Sequence, residues 1–380
     1  MEYRRFGKSD KKLSVITLGG MRYKNAWNDP RQEVPEESLR QASTMVKLAL
    51  DAGINHIETA WGYKKSEHIY GRVLNEELSI PRNDYYLMTK GAPATQKETR
   101  QLVEKQLKHL QTDYIDFYGW HGMNNREQYN IAMQKNGPVE TLLKLKEEGV
   151  IKHVGFSTHA PVEIIIKAIE SEYFEFVNLH YYYFFQRNKG AIDLAQAKDM
   201  GVFIISPNDK GGRLFDAPES LRKLTQPATP IQWNARFCLQ NPAIHTLSFG
   251  MTEPSHLDEM KGIFPTSVPL TPDDRKILQS LDAQLLNDPF AGYEGYDLAD
   301  DPSGINIPEV LRMRRIWKCY GMEGFARYRY NMLQPDHHWF PGKFATKENT
   351  AKIDFSKVPA GIPLAEILYE THQGLHTPKK

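Results

Sequence analysis

The sequence predicts an α/β protein: a closed (β/α)₈ barrel followed by a smaller helical unit. Three observations predict it. Short apolar runs alternate with segments of helical periodicity from Ser14 to Lys261, and such alternation implies a parallel sheet. Eight strand–helix units fit into about 250 residues, the usual size of a barrel of this kind. The turn after the first long run, Gly19-Gly20-Met21-Arg22, lacks the Gly-x-Gly-x-x-Gly that a doubly wound nucleotide fold places there.

The elements follow in order. Two short runs open the chain around the turn Lys8–Lys11, the second running from Leu13 to Leu18. Glu36–Ala52 carries apolar residues at helical spacing and stops at Gly53. Strands are then expected at 54–60, 85–89, 114–120, 150–157, 174–181, 202–206 and 244–249. Helices are expected between them at 66–78, 97–110, 139–148, 161–170, 190–200 and 230–240, with the last at 254–261. Past Thr271 the pattern changes. A helix at 272–286 leads into an Asp-, Gly- and Pro-rich stretch at 287–305. Helical pieces at 307–333, broken near Gly321, and at 362–375 flank an irregular segment. The domain reading is therefore 1–286 for the barrel and 287–380 for the helical appendix.

The totals narrow the function. The 380 residues are 40% hydrophobic and 25% charged, with a formal net charge of +1. That balance is ordinary for a soluble globular protein and gives no reason to invoke nucleic acid or an anionic membrane. No apolar run is long enough to span a bilayer, and Met1–Gly7 lacks the apolar core of a signal peptide. Only Cys238 and Cys319 are present. Two cysteines make neither a disulfide framework nor a four-thiolate cluster, and a cytoplasmic location fits.

Chemistry-bearing residues fall at three consecutive strand ends. Glu58 lies in the run His56–Ala60, with Tyr63 five residues on, in the loop that leaves it; Lys90 ends Tyr85–Lys90; His121 follows Tyr114–Trp120. In a (β/α)₈ barrel the C-terminal strand ends are where catalytic groups sit. A phenol with a pKa of about 10 needs its anion stabilised to act near neutrality. A lysine does that, and a carboxylate pairs with the lysine. Each residue alone has an ordinary structural explanation, as a rim aromatic, a solvated strand end or a satisfied imidazole. Their order at successive strand ends is what singles them out.

This constellation resembles the catalytic tetrad of the aldo-keto reductases. The resemblance implies Tyr63 as the acid, Lys90 as its tuner, Glu58 as the partner of Lys90 and His121 as the orienting group. Glu58 stands where the family usually has Asp, and the extra methylene moves the carboxylate by about 1.5 Å. The resemblance also implies an extended nicotinamide dinucleotide across the strand ends. Gly20, Met21 and Arg22 would meet it after the first strand. Ser157, Thr158 and Asn178 would meet the carboxamide. Ser206, Pro207, Asn208, Lys210, Gly212 and Arg213 look like the pyrophosphate loop. Gly250, Met251, Thr252 and His256 look like the adenosine end, at a helix N-terminus suited to phosphate. Basic residues usually stand at positions 250 and 256 in NADP-preferring members, so NADP(H) is favoured over NAD(H) by family habit alone.

The tail resembles the ferredoxin-like appendix of one branch of the family. The matching segments are Asp301–Leu311, Tyr328–Leu333 and Trp339–Gly342. Asp301 stands where that branch has Cys-Pro, and Asn349–Pro363 holds none of the expected cysteines. No iron–sulfur cluster is expected, and the appendix reads as kept for shape, as a lid wall or a homo-oligomer surface. Trp27, Trp61, Trp120, His159 and Tyr182 put aromatic and polar groups near strand ends, which suits a small carbonyl or hydroxy compound of the sugar type. Two rivals stay open. One is a retained cofactor that oxidises and re-reduces the same sugar, giving epimerisation or elimination. The other is a binding protein on a decayed reductase scaffold.

Overall fold

The computed structural model describes residues 1–378. Among the described residues, ten strands form two sheets. β1 (Tyr3–Arg5) and β2 (Lys12–Ser14) pair as an antiparallel hairpin. The other eight close a parallel barrel in the order β10-β3-β4-β5-β6-β7-β8-β9. They are β3 (Ile16–Gly19), β4 (His56–Glu58), β5 (Tyr86–Gly91), β6 (Ile115–Trp120), β7 (Ile151–Ser157), β8 (Phe176–Leu179), β9 (Gly201–Ile204) and β10 (Thr246–Phe249). The expected fold class is the observed one. The expected run Leu13–Leu18 is two strands: β2 serves the hairpin and β3 enters the barrel, parted at Val15.

Helices alternate with the barrel strands: α1 (Glu36–Asp51), α2 (Ser66–Arg72), α3 (Gln96–Leu110), α4 (Arg126–Met133), α5 (Pro138–Glu147), α6 (Val162–Glu170), α7 (Lys189–Ala197), α8 (Glu219–Thr225), α9 (Pro230–Leu239) and α10 (Pro254–Lys261). α4 and α8 were not expected; both are short, and neither repeats enough apolar positions to announce itself. α2 is continued by a π-helical turn, Val73–Glu77.

Strand periodicity explains how the barrel builds a site. Successive side chains point to opposite faces, so residues two apart share the interior. The lower interior holds Phe6 and Leu13 from the hairpin with Met88, Phe117, Phe176 and Phe203. Phe6 meets Phe117 edge-on at 5.3 Å between ring centres, so the hairpin plugs that end. His56 and Thr17 lie in the same layer, Thr17 Oγ1 within 2.8 Å of His56 Nδ1. Two residues further along their strands, the same faces carry Gly19, Glu58, Lys90, Gly119 and Asn178. The lower layer is mostly apolar, with His56 and Thr17 the polar pair in it; the layer above it is polar and ionisable.

By internal contacts the chain divides into two compact units. One comprises Met1–Pro207 with Asn234–Pro269, and the other Asn208–Trp233 with Leu270 onward. The second unit adds α11 (Pro272–Ala283), α12 (Ile307–Tyr320), α13 (Glu323–Tyr330), α14 (Lys347–Thr350) and α15 (Leu364–Leu375). α12 stops at Gly321, whose φ of +67° is the left-handed cap that favours glycine. Within this unit Arg314 reaches Asp288 at 2.7 Å and Glu370 at 2.6 Å. Asp301 is 6% exposed. Its two carboxylate oxygens accept the backbone N–H groups of Ser303 and Asp354, each at 2.9 Å. One aspartate thus ties together the two segments at 301 and 354.

Candidate active site

The upper layer brings the four tetrad candidates together. Glu58 and Lys90 are 3% and 1% exposed. Lys90 Nζ donates to Glu58 Oε1 and, at 2.8 Å, to the Thr59 carbonyl. Tyr63, in a 3₁₀ turn Trp61–Tyr63, donates its hydroxyl to the same Glu58 Oε1 at 3.2 Å. The Lys90 ammonium stands 5.1 Å from the centre of the Tyr63 ring. The His121 ring meets the Tyr63 ring edge-on at 5.9 Å. The phenol is therefore bonded to the carboxylate, and the carboxylate to the ammonium.

Two glycines make room for this. A Cβ at Gly19 would lie 2.8 Å from Ser248 Oγ and 3.3 Å from Glu58 Oε2, so a side chain there would crowd the carboxylate. A Cβ at Gly119 would lie 3.1 Å from Lys90 Cγ. The barrel registers place each glycine beside its partner, Gly19 with Glu58 and Lys90 with Gly119.

The electrostatics follow from burial and from who faces whom. Burial pushes the Tyr63 pKa well above its ordinary value, and the charge and hydrogen bond of Glu58 push the same way, with Arg22 opposing. Tyr63 is thus a neutral donor at working pH. Burial lowers the Lys90 pKa, while the charges of Glu58 and Glu67 hold its proton on. Glu67 was not singled out from the sequence. It is fully buried on α2, accepting from Thr89 Oγ1 at 2.7 Å and Gln106 Nε2 at 2.6 Å, and Gln106 donates on to the Lys90 carbonyl at 3.2 Å. Ser248, also missed, donates to Glu58 Oε2 at 3.3 Å. Its only signal was its place near the end of the last barrel strand.

The cofactor candidates are placed as follows. Gly20 donates its N–H to the Glu58 carbonyl at 2.8 Å. Met21 accepts from Trp27 Nε1 at 3.2 Å, and the Arg22 stem fills the space above Gly250, 2.7 Å from where a Cβ would stand. Ser157 Oγ accepts the Gly122 N–H at 3.0 Å, and Thr158 Oγ1 donates to the Met123 carbonyl at 2.7 Å; both hold the loop that carries His121. Asn178 gives its Nδ2 to Met88 Sδ at 3.2 Å, while its buried Oδ1 has no hydrogen-bond partner. The Asn208 Oδ1 is likewise buried without one. Ser206 has φ +49° and leads into Pro207, whose carbonyl accepts from Asn234 Nδ2 at 3.4 Å. In the second unit, the Lys210 ammonium lies 4.3 Å over the Trp339 ring. Arg213, after Gly212, lies 5.6 Å from the Tyr328 ring. Met251 is buried, and Thr252 donates its N–H to His256 Nδ1 at 3.2 Å, two residues ahead of α10.

Among the substrate candidates, Trp27 is 47% exposed. Trp61 lies between Arg31, 4.0 Å above its ring, and His109, stacked at 5.4 Å. Trp120 is buried and donates to the Pro93 carbonyl at 3.2 Å, which makes it wall rather than open platform. His159 is half-buried and Tyr182 is buried.

Over 223 residues the chain is 24% identical to the oxidoreductase YqkF of Bacillus subtilis, covering 56% of this chain and 66% of the relative. Over 161 residues it is 29% identical to D-arabinose 1-dehydrogenase of Saccharomyces cerevisiae, covering 40% and 45%. The chain thus spans less than two thirds of the length of these curated relatives. Among solved structures, the aldo-keto reductase AKR11C1 from Bacillus halodurans, in its holo form, superposes with a TM-score of 0.59 at 21% identity, covering 74% of this chain and 96% of that one. A profile of the Aldo/keto reductase family matches residues 15–283, the whole barrel, and the chain belongs to that family.

Proposed function

We propose that the protein is a nicotinamide-dependent oxidoreductase acting on a small carbonyl or hydroxy compound of the sugar type. The hydrogen-bonded set Lys90–Glu58–Tyr63, with the His121 ring against Tyr63, carries the reading. Tyr63 gives its proton to the carbonyl oxygen as negative charge develops there. His121 orients that oxygen. Lys90 holds a positive charge beneath the phenol and pairs with Glu58.

The residues present fit a nicotinamide. An amide oxygen buried without a partner costs about 1–3 kcal/mol, and Asn178 Oδ1 is such an atom. A carboxamide N–H₂ would satisfy it, and Ser157 and Thr158 lie one strand away, Ser157 pairing with Asn178 in the sheet. The cofactor, when bound, supplies or accepts the hydride. NADP(H) is favoured over NAD(H) by family habit, and the Arg22 stem lies against Gly250 where a basic side chain is usual. A cytoplasmic location is supported by the two cysteines being buried and free of any disulfide. We read residues 287–380 as a ferredoxin-like appendix without clusters, in which the Asp301 carboxylate does the fastening. D-arabinose is what one relative's name specifies and is the first sugar to try.

The test is a fluorescence titration with NADPH and NADH, followed by aldehyde reduction and mass spectrometry of small molecules released from the purified protein. Failure to bind either nucleotide overturns the reading. One observation favours a second reading. The phenol donates to the same carboxylate oxygen that the Lys90 ammonium bonds. A carboxylate so placed suits a redox-neutral reaction on a retained cofactor. A steady-state requirement for added NADPH excludes that version.

A further inference from the structure

The turn that carries Tyr63 is stapled to a neighbouring loop. Tyr63 ends the turn Trp61–Tyr63, and the next residue, Lys64, has φ +53° and ψ −106°. A Cβ makes that backbone region costly, and only glycine holds it freely. Such a conformation persists where its surroundings over-determine it. The surroundings here include the loop between β3 and α1. Lys65 is 2% exposed, and its ammonium donates to the carbonyls of Pro30 and, at 2.6 Å, of Glu33. Its backbone N–H donates to the Ala26 carbonyl at 3.0 Å. Arg31 Nη1 donates to the Trp61 carbonyl at 2.9 Å, and its guanidinium lies over the Trp61 ring. The Lys64 ammonium stands 3.6 Å from Asp29.

These ties are unequal. The Lys64–Asp29 pair is exposed and contributes little. Lys65 is different. A buried ammonium is costly unless it is hydrogen-bonded, and its bonds are the strong, charge-assisted kind. Its acceptors are main-chain carbonyls, so one charge fixes the backbone at 30 and 33 beside the backbone at 65. The loop has no helix or strand of its own between Gly19 and Glu36. Tyr63 is held less firmly by its own bonds. Its N–H donates to the Ala60 carbonyl at 2.9 Å, and its hydroxyl reaches Glu58 Oε1 at 3.2 Å. The second is long for a bond between two oxygens. Where the phenol stands is therefore set chiefly by the backbone of its turn.

We infer that Lys65 is a positioning residue for Tyr63: by fastening the loop at 30–33 beside the turn Trp61–Tyr63, it keeps Lys64 in its strained conformation and the phenol against Glu58. This rests on the oxidoreductase reading, in which Tyr63 is the acid, and names what holds that acid in place. Without the clamp, Lys64 relaxes toward an ordinary negative φ and turns the residue before it. A misplacement near 1 Å is enough to cost about 10²-fold in rate.

The test is Lys65→Met, which keeps the buried stem and removes the donors. With a reactive test aldehyde, kcat should fall by about tenfold to 10²-fold, while KM and NADPH affinity hold. Lys65→Arg, which keeps donors for the two carbonyls, should recover part of the loss. Adding Lys64→Gly to Lys65→Met should also recover part, since glycine holds that backbone without strain. In protein labelled with ¹³C-tyrosine, the Tyr63 ring signal, identified by its loss in Tyr63→Phe, should move in Lys65→Met and return in the double variant. An unchanged kcat or an unmoved Tyr63 signal overturns the inference. So does a fall in kcat matched by an equal loss of NADPH affinity, or one that neither Lys65→Arg nor the added glycine recovers. If Lys65→Met does not fold, Arg31→Ala cuts the tie to Trp61 and should move the same signal, and a signal that stays put overturns the inference. If wild-type protein reduces no aldehyde, the oxidoreductase reading fails, and the Tyr63 signal still decides whether Lys65 sets its place.

Discussion

Glu58 in the barrel and Asp301 in the second unit are both carboxylates with almost no exposed surface. They differ in what satisfies them. Glu58 takes its hydrogen bonds from Lys90, Tyr63 and Ser248, all side chains. Asp301 takes its two from the backbone N–H groups of Ser303 and Asp354. Backbone amides do not titrate in the working range, so the surroundings of Asp301 have one state. Lysine and tyrosine do titrate, so the energy of Glu58 changes whenever either moves a proton. A buried carboxylate among ionisable donors is reactive machinery; one among amides is a fastener.

The strongest way to break this comparison is at the phenol. Tyr63→Phe should lower turnover by about 10²–10⁴-fold, the usual worth of a placed acid. NADPH affinity, read by fluorescence, should hold, because the proposed role of the hydroxyl is on the substrate oxygen and its one bond here is to Glu58. A residual rate within about tenfold of wild type removes Tyr63 as the acid.

Glu58→Asp sharpens it with a signed result. Shortening the side chain draws the carboxylate back by about 1.5 Å, away from the Tyr63 hydroxyl. One of the causes that push the Tyr63 pKa up is then weakened. Reduction of a reactive test aldehyde should hold or rise. If Glu58 instead acts on the substrate, the native reaction should fall by about 10²-fold, as expected for a misplacement near 1 Å. A fall in both, with an unchanged circular dichroism spectrum, leaves Glu58 a packing role only.

At the other carboxylate the effect should be on stability alone. Asp301→Ala strands two backbone N–H groups, a loss of about 1–3 kcal/mol. The denaturant midpoint should drop while kcat stays put. A kcat that drops in step with Tyr63→Phe contradicts the division of roles.

The meeting of Glu58, Lys90 and His121 could be read from sequence because period-2 strands put their end residues in known positions, and each lies at or next to the end of a strand. Asn178 was readable for the same reason. Ser248 was not, since its bond to Glu58 joins residues 190 positions apart and depends on barrel closure. The bonding of Tyr63 to Glu58 rather than to Lys90 was hidden too. It depends on where one extra methylene puts an oxygen, and on the space left by Gly19. The break between β2 and β3 was concealed by a mainly apolar run from Leu13 to Leu18, which holds only Ser14 and Thr17 as polar residues. The tie between Asp301 and Asp354 links two loops, where composition gives no register.

The mildest effect lies one layer below the site and separates the two regions by pH. His56 is 0% exposed, two residues before Glu58 on the same inward face. Its ring packs edge-on against Phe117 at 5.5 Å and Phe203 at 5.8 Å, and its Nε2 has no hydrogen-bond partner. Burial, and then the charge of Lys90, push its pKa down to about 3. The unfolded chain has an ordinary histidine, near 6.5. Between these values the unfolded state binds a proton that the folded state refuses. Stability therefore rises with pH across that window and is lost as pH falls, by up to about 1.4 kcal/mol per pH unit. Urea midpoints for the barrel should fall between pH 7 and pH 5 in wild type. In His56→Leu, which fills the site without a titrating group, the fall should be shallower. Removing the Lys90 charge, as in Lys90→Met, should raise the folded pKa and narrow the window from below. If wild type and His56→Leu lose stability in parallel, the acid sensitivity lies elsewhere, and the lower layer is as inert to protons as the surroundings of Asp301.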